Sequence, residues 1–126
     1  MTKQKRKSFC IVCIANYCRS PVLEALLIKR FGEEFEFFSA GISPMAMPSM
    51  DKRSKNFLEK KGIKNTIHTP KKISKKMLDY FDYFLAVDHF VLHQLNILYP
   101  RYKKKFRLST SSLKNVDIID PFKLDD

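Results

Sequence analysis

The chain has 126 residues, 44% of them apolar, and a formal net charge of +11 from 24 basic and 13 acidic side chains. That length suits one hydrophobic core, and the apolar share excludes a disordered polymer. No apolar run is long enough to span a bilayer, no signal peptide is expected, and the basic start, residues 1–7, reads as a flexible tail. Three cysteines crowded at 10, 13 and 18 do not make a secreted disulfide framework, so a reducing cytoplasm is the expected compartment.

In chain order, Phe9-Cys10-Ile11-Val12 is a short apolar run rich in β-formers, which predicts a strand over 8–13 buried on both faces of a parallel sheet. Cys13-Ile14-Ala15-Asn16-Tyr17-Cys18-Arg19-Ser20-Pro21 then leads into a helix predicted over 20–31, with Ser20 as its N-cap. Pro21 sits where its missing N–H does no harm, and Val22, Leu23, Leu26, Leu27 and Phe31 fall at helical spacing before Gly32. A second strand is predicted over 35–40, and the prolines of Ser43-Pro44-Met45-Ala46-Met47-Pro48 mark a loop. Further helices are predicted over 51–61, 74–79 and 88–98, and strands over 82–87 and 105–109. The alternation implies an α/β fold, a three-layer α/β/α arrangement on a four-stranded parallel sheet, in a single domain spanning 1–126.

A strand, a tight loop and a helix N-terminus together form an anion site, because loop amides and the positive end of the helix point the same way. Cys13 lies in that field, which favours the thiolate, the form that attacks phosphorus and becomes a phospho-cysteine. Arg19 can grip two phosphate oxygens at once. Ser20 can donate to the sulfur when it leaves, and Asn16 tolerates left-handed backbone and can pin the loop through its amide. A leaving oxygen needs a proton, and Asp120 is the candidate donor, stiffened by Pro121 and beside the aromatic wall of Phe122. Asp117, Asp125 and Asp126 compete for that role. His68 is expected to make a structural hydrogen bond and His89 and His93 to have no role. No metal-ligand cluster forms from these residues, so no metal or cofactor is expected.

Val12 to Pro21, with Glu24-Ala25 just after, resembles the signature of the low-molecular-weight protein tyrosine phosphatases. The resemblance continues through Ser39-Ala40-Gly41, Phe57-Leu58…Gly62-Ile63, His68 and Phe81-Asp82-Tyr83-Phe84-Leu85-Ala86-Val87-Asp88 to Ile119-Asp120-Pro121-Phe122. It implies hydrolysis of phosphotyrosine monoesters on protein substrates, with Cys13, Arg19 and Asp120 catalytic. Ile14, Ala15, Asn16, Tyr17, Cys18 and Ser20 would line the phosphate. Tyr17, Met45 and Phe122 would wall the substrate, and Ser39 and His68 would support the loop. It also implies that Cys18 pairs with Cys13 on oxidation, shielding the nucleophile. Two positions depart from the family: Ala15 stands where glycine is usual, and Tyr17 replaces an aliphatic residue. The family continues into one more helix beyond the position of Asp126. Either the sequence is truncated or another subunit, as in a homodimer, covers that face of the sheet.

Rival functions divide on particular residues. Arsenate reductases of this fold relay oxidation to later cysteines, and none follows Cys18. Phosphoarginine phosphatases use a small hydroxyl residue where Tyr17 stands. A phosphate- or phosphotyrosine-binding module with weakened turnover is favoured by Ala15 but opposed by Cys13, Arg19 and Asp120. The basic charge raises nucleic-acid binding, yet no reading motif accompanies it. A lysine-rich solvated surface that steers acidic phosphorylated partners is the preferred account.

Overall fold

The structure, a computed structural model, describes residues 6–109. The elements run β1 (Ser8–Cys13), α1 (Arg19–Phe31), β2 (Glu36–Gly41), α2 (Lys52–Lys60), α3 (Lys75–Tyr80), β3 (Tyr83–Ala86), α4 (His89–Leu98), a 3₁₀ turn (Pro100–Lys105) and β4 (Phe106–Leu108). Asp117, Asp120, Pro121, Phe122, Asp125 and Asp126 lie outside the described residues.

All four strands are parallel, in the order β2-β1-β3-β4. The chain leaves β1 toward one side of the sheet for β2 and then crosses back to the other side for β3. A crevice therefore opens beyond the carboxyl end of β1, where such a sheet holds its ligand site. Cys13 is the last residue of β1 and stands at that point, paired in register with Gly41 of β2.

Side-chain alternation on the central strand divides the core. Cys10 and Val12 join Ala40, Phe84, Ala86 and Phe106 on the face covered by α3 and α4 through Leu78, Val91 and Leu95. Ile11 and Phe37 point the other way, onto Leu27 of α1. Helix α2 packs Leu58 against Val22 of α1, with Met50 from the segment before α2 in the same cluster. Of the basic start, residues 6 and 7 are described, and both contact the body. The Arg6 guanidinium donates to the Gly32 carbonyl, and Lys7 O accepts from Glu36 N at 2.9 Å.

Helix α1 begins one residue before the predicted start, and Ser20 is not its N-cap. The cap position is Cys18, with no side-chain hydrogen bond to the first turn. Helices α2, α3 and α4 are each capped by a side chain: Asp51 accepts from Arg53 N, Ser74 from Met77 N and Asp88 from Val91 N. The physical reason is local. The Ser20 hydroxyl is fully buried and committed to Cys13 and Asn16, so it cannot turn back on its own helix.

Candidate active site

The loop between β1 and α1 is fastened from three directions. Ile42 N donates to Cys13 O at 3.1 Å, Ser43 N to Ile14 O at 2.8 Å and Met45 N to Ala15 O at 2.9 Å. Asp51 N, just ahead of α2, donates to Tyr17 O at 2.9 Å. From the third side, His68 Nε2 donates to Asn16 O at 2.8 Å and Lys71 N to Asn16 Oδ1 at 2.8 Å. Such closeness requires Gly41: a Cβ there would lie 2.7 Å from Ile14 O and 3.0 Å from Asn16 N.

Asn16 is the hub. It has no exposed surface and a φ of 52°, the left-handed conformation asparagine tolerates better than most residues. Ala15 does not have a positive φ, so the methyl that replaces the usual glycine is sterically compatible with this backbone. The Asn16 amide orientation follows from its partners. Lys71 N–H can only donate, so the atom facing it is Oδ1, and Nδ2 donates to Ser20 Oγ at 2.8 Å and to Ser39 Oγ at 3.1 Å. Ser39 in turn donates to the Glu24 carboxylate, which only accepts when ionised. Ser20 Oγ, an acceptor from Asn16, is also hydrogen-bonded to Cys13 Sγ at 3.0 Å, and it is the donor in that bond when the sulfur is a thiolate, which can only accept. Asn16 N donates to the same sulfur at 3.1 Å.

The three cysteines are chemically distinct. Burial pushes the Cys10 thiol far up, and Cys10 lies in the apolar core. Burial, followed by the adjacent Asp51 carboxylate, pushes the Cys18 thiol up to about 11. Cys13 sits at the site's floor, where the Asn16 N–H and the Ser20 hydroxyl meet its sulfur. All three are free in this structure.

Arg19, the first residue of α1, reaches across the crevice to Asp88, with Nη1 to Oδ2 at 2.7 Å. The pair is partly open, with the two side chains 33% and 38% exposed. Burial opposes ionisation of Asp88, but the Val91 N–H and the Arg19 guanidinium outweigh it and hold the carboxyl below its usual range. Asp88 thus caps α4 and orients Arg19 at once, a role not read from the sequence. The signal was present: an aspartate directly after a β-strand and before a helix falls at the same sheet edge as Cys13. Glu24 was likewise part of the signature without an assigned role.

Ser39 Oγ accepts from Asn16 Nδ2, and His68 Nε2 donates to Asn16 O. Burial holds the His68 ring below its usual imidazole range, against the opposing hydrogen bond to Asn16 O. Tyr17 is half-buried, and Met45, in the loop after β2, is 44% exposed. Phe122 and Asp120 fall outside the described residues, so the wall and the proton donor they were assigned are not placed. Among the described residues no three His, Cys, Asp or Glu side chains group closely enough to hold a metal ion, and no helix is long and apolar enough to cross a membrane.

A family model for low molecular weight phosphotyrosine protein phosphatases matches residues 8–126. The chain is 33% identical over 120 residues to the low molecular weight protein-tyrosine-phosphatase Ptp of Acinetobacter johnsonii, covering 94% of this chain and 82% of that protein. Among solved structures, the YwlE arginine phosphatase from Geobacillus stearothermophilus superposes with a TM-score of 0.81 at 27% identity, covering 92% of this chain and 76% of that one. The tyrosine phosphatase Wzb from Escherichia coli K30, in complex with sulphate, gives a TM-score of 0.76 at 26% identity, covering 94% and 82%. With its thiol, arginine and buried polar hub on a 2-1-3-4 parallel sheet, the chain belongs to the low-molecular-weight phosphotyrosine protein phosphatase family.

Proposed function

We propose that this protein hydrolyses phosphotyrosine monoesters in two steps through a phospho-Cys13 intermediate. The observation that carries the reading is the convergence of the Asn16 N–H and the Ser20 hydroxyl on Cys13 Sγ, just ahead of α1. The Cys13 thiolate attacks phosphorus, the P–O bond to the phenol breaks, and the leaving oxygen takes a proton from Asp120. Water, deprotonated by the same carboxylate, then attacks the phospho-cysteine, the S–P bond breaks, and inorganic phosphate and the thiolate are released. The Ser20 hydroxyl is aligned to donate to the sulfur in that second step.

Arg19 supports this reading because the Asp88 contact occupies Nη1 and leaves further guanidinium donors for equatorial phosphate oxygens. The uncapped start of α1 adds first-turn N–H groups free of side-chain partners. The compartment suited to a working thiol is a reducing cytoplasm. Cys18, one residue before Arg19, is the thiol that would trap an oxidised Cys13 as a reversible disulfide.

Phosphoarginine is the second reading, favoured by the likeness to an arginine phosphatase. Tyr17 opposes it, since a bulky rim suits a flat phenyl ring. The test is hydrolysis of p-nitrophenyl phosphate, phosphotyrosine and phosphoarginine by the wild type and by Cys13→Ser. We expect phosphotyrosine turnover with little phosphoarginine turnover, and loss of roughly a thousandfold or more in the variant. Full activity in Cys13→Ser would refute the mechanism. In Ser20→Ala the second step should slow more than the first, so a phospho-cysteine accumulates that acid quenching and phosphorus NMR detect.

A further inference from the structure

Ile67 is 96% exposed, far more than any other large apolar side chain among the described residues. It is held in that position. Asn65, two residues earlier, has a left-handed φ of 59°, and His68, the next residue, is tied to Asn16 O at 2.8 Å. Thr69 Oγ1 donates to Pro48 O at 3.2 Å, fastening this segment to the loop that carries Met45 and Met47, 44% and 45% exposed. Met45 N is itself bonded to Ala15 O in the phosphate loop. Three exposed apolar side chains thus ride on two loops pinned to each other and to the edge of the site. Single exposed apolar residues are ordinary, but a group of them beside a site marks a contact surface.

The stretch of chain that carries this group is predominantly basic. Residues 43–72 contain eight lysines and arginines against two acids, Asp51 and Glu59. Asp51 is already engaged by Arg53, whereas Lys52, Lys64, Lys71 and Lys72 are exposed. A partner seated here meets methionines and an isoleucine within a positive field.

We infer that Ile67, with Met45 and Met47, forms a docking rim for the substrate protein, selecting an acidic segment that carries a bulky aliphatic side chain near its phosphotyrosine. This deepens the phosphatase reading and rests on it. Methionine adapts to varied shapes, so Met45 and Met47 tolerate different neighbours, while the stiff β-branched Ile67 provides the fixed contact. Lysines around the rim raise the encounter rate of acidic segments and lose that effect as salt rises.

The experiment compares p-nitrophenyl phosphate, too small to reach Ile67, with acidic phosphotyrosine peptides in which one leucine is moved stepwise through the flanking positions. Wild type should show a KM roughly tenfold lower at one or more leucine positions than for the leucine-free peptide. Ile67→Ser should erase that preference and leave kcat/KM for p-nitrophenyl phosphate unchanged, with an unaltered melting curve because the side chain is already in water. Met47→Ser should weaken the preference in part. A wild type active on p-nitrophenyl phosphate but indifferent to leucine, or a preference retained in Ile67→Ser, overturns the inference and leaves the phosphatase reading standing. A change in sedimentation of Ile67→Ser without a change in peptide preference would make the rim a contact between copies of this chain, which also overturns it. Wild type inactive on every phosphate ester removes the reading and the inference together.

Discussion

Asn16, in the loop after β1, and Arg19, the first residue of α1, stand three residues apart. Asn16 is sealed from solvent and engages Cys13, Ser20, Ser39, His68 and Lys71. Arg19 is one-third exposed and held by Asp88. The difference separates the floor of the site, where every polar group has a fixed partner, from a mouth that must exchange partners when a phosphate arrives. Buried hydrogen bonds act in a medium where an unpaired group is costly, so the floor is rigid. The exposed ion pair contributes little to stability but sets where the guanidinium points.

Variants at the floor should therefore cost both fold and activity, and variants at the mouth activity alone. The largest effect is expected from Asn16→Ala, which strands Ser20, Ser39 and the Lys71 amide and puts a Cβ-bearing residue with no side-chain bond in the left-handed region. Chemical denaturation should show a loss of about 3 kcal/mol, and kcat should fall roughly a hundredfold. A stable, active Asn16→Ala would remove the distinction between floor and mouth.

Gly41→Ala should follow, because its methyl meets the Ile14 carbonyl at 2.7 Å and neither β2 nor the loop can move freely. We expect about 1–3 kcal/mol of destabilisation together with a lower kcat, read from the same denaturation and turnover assays. Asp88→Asn tests the mouth. Asparagine still caps α4, so the melting temperature should barely change. The unpaired Arg19 should lose orientation, with kcat/KM for p-nitrophenyl phosphate falling roughly tenfold. A large drop in melting temperature would place Asp88 with the floor instead.

The smallest effect concerns acid. The unfolded chain takes a proton at His68 near its ordinary value of 6.5, whereas folded His68 resists protonation to lower pH. Just below that value the unfolded state binds more protons, so stability is fully present above it and falls as pH drops through the window. Urea denaturation at about pH 7.5 and about pH 5.5 should show a smaller acid loss in His68→Gln than in wild type. An equal loss in both proteins would assign the acid sensitivity to other groups.

The sequence reading and the structure agree most closely where information is local. The strand predicted over 8–13 is Ser8–Cys13, the helix predicted over 51–61 is Lys52–Lys60, one residue shorter at each end, and the helix predicted over 88–98 is His89–Leu98, one residue shorter at its start. Periodicity, prolines and capping aspartates act within a few residues, and a single chain displays them. Ser20 was misassigned as an N-cap for the converse reason. A serine before a proline carries the local signal of a cap, but its hydroxyl was taken by Asn16 and Cys13, and only their approach in space decides that competition.

By itself the sequence determined the composition of the loop: a thiol, an arginine six positions on, an asparagine fit for left-handed backbone and a helix to follow. Those properties belong to residues close in the chain, so they survive without a fold. Tertiary structure alone decided what surrounds and fixes Asn16, which carboxylate holds Arg19, and that Ile67 stands in water. These depend on Ser39, His68, Lys71 and Asp88, which lie 23 to 69 residues from the loop positions they bond. Contacts at that separation form only when the parallel sheet brings its strand ends to one edge.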